Sequence, residues 1–216
     1  MYFPHPLSAD HDGLLAIGGD LSVERLLFAY RYGIFPWYND PPVMWWWTHS
    51  RCVLFPSKVK VSKSMRPYFN QKKYSVSYNQ AVESVIKACA SLDRPQQMGT
   101  WINKDMIDPY ISLHQQGYAH SVEVWRDGEL VGGLYGIGLG DIFYGESMFT
   151  HATNASKFGF ITLCRKLEEI GIKLIDCQQE TNHLISLGAE QMPKEEFWQY
   201  ISDNQAIADR PIRLND

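Results

Sequence analysis

The chain has 216 residues, of which 45% are hydrophobic and 13% aromatic, and its formal net charge at pH 7 is −4. This length can bury a substantial core, either in one large domain or in a small domain attached to a medium one. The negative net charge argues against a general nucleic-acid binder. No stretch resembles a signal peptide or a membrane-spanning segment, so we expect no membrane association.

The cysteines are far apart in the sequence and form no CxxC pair; they are Cys52, Cys89, Cys164 and Cys177. Their spacing does not match a zinc site, and we therefore predict that the protein binds no metal. Together with the lack of a targeting segment, this pattern predicts a reduced, cytoplasmic protein.

In chain order, the first predicted helix begins near Asp20 or Ser22, either of which can cap it, and ends at Gly33. Residues 35–47, FPWYNDPPVMWWW, hold four Trp and three Pro and favour neither a helix nor a regular strand. Residues 51–61 are interpreted as two short strands around Pro56. We place a domain boundary after them, which predicts a small N-terminal domain at 1–61 and a larger domain at 62–216.

A run from Arg51 to Val82 contains seven basic residues and no acidic one. Such a run is usually a solvated face, but in an acidic protein it is also the pattern that a local contact with phosphate groups would have. Further along, Tyr74 begins a predicted strand, and Asn79 and Asn103 each cap a predicted helix.

Residues 131–149, VGGLYGIGLGDIFYGESMF, predict two strands joined by a tight turn at 139–141. A predicted strand from Ala119 to Arg126 precedes them and is followed by a strong hairpin signal, Asp-Gly. The first strand of the pair is rich in glycine, which marks the close approach of a ligand or another backbone. In the second strand Glu146 is surrounded by apolar and aromatic residues, which is unusual for an acid unless it is paired or used.

Asn154, or the residue before it, begins the longest predicted helix, which ends at Gly171. The strand that follows, IKLIDCQ at 172–178, ends in Asp176 and Gln178. These two side chains share a face because residues two apart on a strand point the same way. A buried strand with a polar end would show the same pattern. The order of helices and strands predicts an α+β protein.

Seven motifs rich in Trp, Gly and Phe occur in the order GLLAIGGDLS (13–22), GIFPW (33–37), GTWI (99–102), GGLYG (132–136), FYGESMF (143–149), NASK (154–157) and LIDCQ (174–178). Together they resemble the bacterial leucyl/phenylalanyl-tRNA–protein transferases, from about residue 3 to about residue 200. The resemblance implies a GNAT-like (N-acetyltransferase-like) mixed sheet with helices on both faces in the larger domain. In that fold the acyl donor lies where two neighbouring strands separate, here the FYGESMF and LIDCQ strands.

The resemblance also implies the reaction. A leucyl or phenylalanyl group, and less well a methionyl group, moves from aminoacyl-tRNA to the α-amine of a protein with an N-terminal Arg or Lys. The product is marked for degradation by the N-end rule pathway. Because the ester is already activated, its aminolysis requires no cofactor, metal or covalent nucleophile. It requires a neutral, well-placed amine and a stabilised oxyanion.

Three polar residues are implied to be catalytic. Asp176 would hydrogen-bond Gln178 and fix its amide, and Gln178 would contact the attacking amine. Glu146 would hold the α-ammonium of the donor or help to recognise the basic acceptor residue. A buried structural salt bridge is the alternative role for Glu146.

The remaining implied residues bind the donor. Leu134, Phe143 and Leu163 would line the pocket for the leucyl or phenylalanyl side chain, whereas Trp37 and Trp101 would stack on the terminal adenosine of the tRNA. Packing in the hydrophobic core is the alternative for all five. A monomer is the default expectation.

Three other functions compete with this one. A CoA-dependent N-acetyltransferase is disfavoured because residues 147–160, SMFTHATNASKFGF, have no glycine before the helix, where a pyrophosphate loop would require it. A non-catalytic module that binds RNA ends or peptides through the Trp-rich segment would leave Asp176, Gln178 and Glu146 with structural roles. Peptidoglycan-type aminoacyltransferases are generally built from two such domains, and this chain has room for one.

Overall fold

The computed structural model describes residues 2–91 and 104–215, whose strands form one sheet of three strands and one of seven. The small sheet consists of β1 (Leu14–Ile17), β2 (Phe35–Pro36) and β3 (Met44–Trp46). It is antiparallel, with β3 in the middle. Two of its strands lie in the Trp-rich segment, for which the prediction of no regular strand was wrong. Buried rings pack there, and the Trp46 indole N–H donates to the Trp37 carbonyl at 2.7 Å, which holds β3 against the chain that follows β2.

The large sheet is mixed. Its strands are β4 (Ser50–Leu54), β5 (Ser75–Tyr78), β6 (Ala119–Arg126), β7 (Glu129–Leu139), β8 (Ile142–Thr150), β9 (Leu174–Gln178) and β10 (Glu190–Pro193). Their order across the sheet is β10-β4-β9-β8-β7-β6-β5. All neighbours are antiparallel except β8 and β9, which are parallel. The predicted pair of strands at 131–149 and the strand at 172–178 are therefore confirmed.

Strand β4, from the first part of the chain, lies in this sheet between β9 and β10, which come from the last part. The predicted second strand after Pro56 is absent from the described structure; residues Pro56–Lys58 form a 3₁₀ helix instead. Proline has no N–H group to donate to a sheet, and its fixed φ suits the first turn of a helix. β4 thus belongs to the large sheet although the predicted boundary assigns it to the N-terminal domain. The division at residue 61 stays a prediction.

Helices cover both faces of the large sheet. They are α1 (Val23–Arg31), α2 (Arg66–Asn70), α3 (Val82–Ala90), α4 (Ile107–Gln115), α5 (Ala155–Glu169), α6 (Asn182–Ser186) and α7 (Lys194–Asn204). Adjacent glycines of β7 show the arrangement: a Cβ atom added to Gly132 would lie 2.7 Å from Ala155 of α5, and one added to Gly133 would lie 3.3 Å from Val85 of α3. The predicted α+β class, with helices on both faces of a mixed sheet, is confirmed.

The predicted helix ends are correct where the signal is local. Ser22 caps α1, Asn154 is the N-cap of α5, and Gly171, with φ 83°, follows the end of α5. The prediction that Asn79 caps α3 was wrong. The N–H groups just before α3 donate instead to Glu123, a fully buried carboxylate on β6, so a distant residue supplies the cap.

The β7–β8 hairpin depends on glycine at a point of close approach. Gly136 faces Gly145 across the hairpin, and a Cβ atom at Gly136 would overlap the Tyr144 carbonyl oxygen and the Phe143 ring. We therefore expect Gly136→Ala to lower the free energy of unfolding by about 1–3 kcal/mol, as overpacking does. Urea unfolding measures this change. The matched control is Gly145→Ala, whose Cβ would meet only the Asp176 carbonyl oxygen, at 3.7 Å. Equal stabilities of the two variants would contradict the steric explanation.

Candidate active site

The site lies where β8 and β9 separate. Their parallel register runs from Ile142 opposite Leu174 to Tyr144 opposite Asp176. In the described structure β8 then continues to Thr150 without pairing with β9. The resemblance placed the site between these two strands, and they are indeed neighbours. We call the region beyond the Tyr144–Asp176 pair the split.

A β-bulge on the other edge of β8 directs Glu146. On β7, Gly136 pairs with Gly145 and Tyr135 pairs with Ser147, so Glu146 is the extra residue between two ladder positions. A bulge of this kind breaks the alternation of side chains and re-aims the residue that it contains. The carboxylate of Glu146 consequently points to the face of the sheet that carries α1 and α4, where it meets two tyrosines.

The Glu146 carboxylate ends a chain of hydroxyl groups. Its Oε2 accepts a hydrogen bond from the Tyr110 hydroxyl at 2.9 Å, and the hydroxyls of Tyr110 and Tyr30 are 2.6 Å apart. Its Oε1 is shielded from solvent and has no hydrogen-bond partner in the described residues. Burial outweighs the hydroxyl contacts and raises the pKa of Glu146 from 4.5 to about 7. The alternative of a structural salt bridge at Glu146 is not observed in the described residues.

This shift makes stability depend on pH. Between pH 4.5 and about 7 the folded protein keeps a proton on Glu146 that the unfolded chain has lost, so stability falls as pH rises through this range and is level above it. At about 1.4 kcal/mol per pH unit the effect amounts to about 3 kcal/mol. We expect Glu146→Gln to gain stability relative to the parent protein between pH 5 and pH 8. Urea unfolding at each pH measures the difference; parallel stability curves would contradict the shift.

Asp176 is paired with a residue that the sequence analysis did not connect to the site. Arg51 donates from Nε to Asp176 Oδ1 at 2.8 Å and from Nη2 to Asp176 Oδ2 at 2.7 Å. Neither side chain is exposed beyond 1%. Arg51 is therefore a buried, bidentate partner, and the interpretation of the basic run as a solvated face or phosphate contact was wrong for this member.

Gln178 adopts a backbone conformation that is uncommon for its residue type. Its φ is 55°, in the left-handed region, and its backbone N–H donates to Asp176 Oδ1 at 2.9 Å. We predicted that Asp176 would bind the side-chain amide; the carboxylate holds the backbone of Gln178 instead. The amide nitrogen Nε2 is buried and has no hydrogen-bond partner in the part of the chain that is described.

Four side chains of the residues described above for this region each have a buried polar atom without a hydrogen-bond partner in the described ranges. The atoms are Arg51 Nη1, Tyr144 Oη, Glu146 Oε1 and Gln178 Nε2, and other atoms of this kind belong to residues elsewhere in the chain. Buried polar groups in folded proteins are nearly always hydrogen-bonded, so several exceptions in one place indicate a polar ligand. Three of these atoms belong to groups that can donate to a negatively charged oxygen, and the fourth can accept from an ammonium group.

The implied pocket residues lie together in one hydrophobic cluster. Leu134, Phe143 and Leu163 are at most 2% exposed and belong to the core between the sheet and α5, which Met148, opposite Leu134, also contacts. Trp37 is half-buried, with its ring 5.6 Å from that of Trp46. Their roles in donor binding stay predictions, and Trp101 lies outside the described residues.

No group of three or more His, Cys, Asp or Glu residues within 2–91 and 104–215 is arranged to bind a metal ion. Every helix in the same ranges is too short or too polar to cross a bilayer.

Sequence reasoning missed Arg51, Tyr30 and Tyr110. One signal for Arg51 was available: it directly precedes Cys-Val-Leu, an apolar strand that would bury its neighbours. The tyrosines gave no usable signal, because a tyrosine on the apolar face of a helix is ordinary core.

Comparison with known proteins identifies the family. The model for the leucyl/phenylalanyl-tRNA protein transferases matches residues 53–202, and the model for their N-terminal domain matches residues 19–48. The leucyl/phenylalanyl-tRNA–protein transferase of Christiangramia forsetii is 55% identical over 92% of this chain and 95% of its own length. The enzyme of the same name from Azotobacter vinelandii is 53% identical over 88% of this chain and 84% of its own length.

A solved structure with a related arrangement is a GCN5-related N-acetyltransferase from Kribbella flavida. It is 12% identical, has a TM-score of 0.42, and the alignment covers 76% of this chain and 58% of that one. The sequence matches show that the chain belongs to the leucyl/phenylalanyl-tRNA–protein transferase family, and it is an aminoacyltransferase.

Proposed function

We propose that this chain, as a cytoplasmic monomer, transfers leucine or phenylalanine, and less well methionine, from aminoacyl-tRNA to the α-amine of proteins that begin with Arg or Lys. The product would enter the N-end rule pathway. The observation that carries the proposal is the group of unpartnered polar atoms at the split, in a chain of this family. They match the charges that develop when an amine attacks an ester. As the C–N bond forms, the ester C–O bond to the tRNA breaks, and the proton that the amine loses is taken up by the departing ribose oxygen of the tRNA.

The donor would enter the split from the edge where β8 and β9 part. Its side chain would pack among Leu134, Phe143 and Leu163 and displace part of this apolar cluster. Phe143 is the member of the cluster next to the split. A β-branched side chain would meet the walls close to its backbone, which would favour Leu and Phe over Ile and Val. Trp37 and Trp101 would hold the terminal adenosine by stacking.

The polar side chains at the split would then have separate roles in the transfer. Gln178 Nε2 can donate to the oxyanion, and Oε1 of the same amide can accept a hydrogen bond from the amine N–H and hold the amine in line with the ester carbon. A glutamine suits positioning better than proton abstraction. Glu146 has the unpartnered oxygen that an ammonium group requires. Because both oxygens of Asp176 are already occupied by Arg51, recognition of a basic acceptor residue falls to Glu146.

The experiment is transfer of labelled leucine from charged tRNA to two peptides that differ only in an N-terminal Arg or Ala, without CoA or added metal. Transfer to the Arg peptide alone is the expected result. If the folded protein binds the charged tRNA but modifies neither peptide, the proposal fails and the chain is a binding module. Transfer to both peptides equally would overturn the acceptor specificity only.

A further inference from the structure

Arg51 is held from every side. Its Nη2 donates to the Gly33 carbonyl at 2.6 Å as well as to Asp176, and its guanidinium carbon lies 4.7 Å from the centre of the Phe35 ring and 4.6 Å from that of Phe197. Stacking and three directed hydrogen bonds leave the guanidinium one orientation. A lysine has the same charge but cannot make this forked contact.

The contact determines what Asp176 can do. Oδ1 accepts from Arg51 and from the Gln178 backbone N–H, and Oδ2 accepts from Arg51. A buried carboxylate with these three hydrogen bonds holds its neighbours in place. The Gln178 N–H that it fixes belongs to a residue with positive φ, so this bond also fixes the direction in which the Gln178 side chain leaves the strand.

We propose that Arg51 is a positioning residue for the transfer reaction: it locks Asp176, which fixes the Gln178 backbone and thereby aims the Gln178 amide into the split. The inference rests on the proposed function and deepens it. The inference assigns Arg51 no contact with either substrate, although its Nη1 has no hydrogen-bond partner in the described residues. Its effect on the rate passes entirely through Gln178.

The test is the steady-state kinetics of Arg51→Lys with leucyl-tRNA and the Arg peptide. We expect kcat to fall by about tenfold or more, because small misplacement of a catalytic group has effects of this size, while both KM values stay within about twofold. The double variant Arg51→Lys/Gln178→Ala is expected to be no slower than Gln178→Ala alone, since one residue acts through the other. A kcat of Arg51→Lys within twofold of the parent, or rate losses that multiply in the double variant, would overturn the inference.

Ile86→Ala is the matched control. Ile86 is fully buried on α3, in the same hydrophobic core as Phe35 and Phe197, and has no polar side-chain atom, so the variant is expected to lose thermal stability but keep kcat within about twofold. If Arg51→Lys does not fold, Phe197→Leu replaces it: this change removes one stacked ring and leaves the hydrogen bonds, and we expect kcat to fall about two- to fivefold. An unchanged kcat there overturns the inference. An inactive parent protein would instead refute the proposed function, so the two failures are distinguishable.

Discussion

Replacing Gln178 by alanine is expected to lower kcat for leucyl transfer by about 10²–10³-fold, the usual effect of removing one donor that acts on the transition state. Its amide nitrogen is buried without a partner in the described structure, and its contact with Asp176 uses the backbone, which alanine keeps. The free energy of unfolding should therefore change little. Glutamine already has a Cβ atom at this positive φ, so alanine adds no strain of that kind, and Gln178→Asn relieves it, because asparagine tolerates this conformation.

The neighbouring glutamine provides the control. Gln179 is half-buried and directly follows the strand, so Gln179→Ala changes the same residue type one position away from the site. Single-turnover transfer with both variants separates the two positions. If Gln178→Ala transfers leucine at a near-normal rate, the amide has no catalytic role, whatever its neighbours do.

Replacing Asp176 by alanine should have the largest effect on stability, about 3–5 kcal/mol, because it leaves the Arg51 guanidinium buried without its partner. A catalytic role alone would let this variant lose transfer while remaining folded. The buried pair changes that expectation: loss of activity in Asp176→Ala does not by itself assign a catalytic role. Urea unfolding measured alongside transfer activity separates the two causes.

A double replacement tests the origin of the destabilisation. In Arg51→Met/Asp176→Leu neither charge remains, and buried ion pairs can often be replaced by apolar residues at little cost, so most of the lost stability should return while transfer stays abolished. Glu190→Ala is the contrasting control, because its pair with Lys58 is exposed and should contribute at most about 1 kcal/mol. A double variant as unstable as Asp176→Ala would show that the unpaired charge is not the cause.

Local patterns in the sequence predicted much of the fold. The β7–β8 hairpin, the long α5 helix and the β9 strand follow from turn residues, caps and hydrophobic periodicity, all of which act within a few residues. The failures have a different origin. The cap of α3 comes from Glu123, and the Trp-rich segment forms strands because its indoles find distant partners, such as the Gly18 carbonyl for Trp45. No local pattern contains such contacts.

Which residues form the candidate site was also only partly predictable from the sequence. The family motifs pointed to Glu146, Asp176 and Gln178, and the structure brings these residues to one place. The partner of Asp176 is 125 residues away on a strand that sequence patterns gave no reason to pair with β9. Its charge favoured a surface position. The carboxylate of Asp176, the Gly33 carbonyl and the rings of Phe35 and Phe197 together explain why an arginine is buried there.

The position of β4 also affects how the protein is made. Ribosomes add about 5–20 residues per second, so roughly 6–25 s pass between synthesis of Arg51 and synthesis of Asp176. Throughout that interval β4 has neither of its neighbours, β9 and β10, and its apolar Cys-Val-Leu stretch is exposed. The nascent chain therefore carries an unpaired strand for most of its synthesis, because both neighbours of β4 come from the last part of the chain. Chaperones that shield strand edges should associate with it until the last third of the chain has emerged.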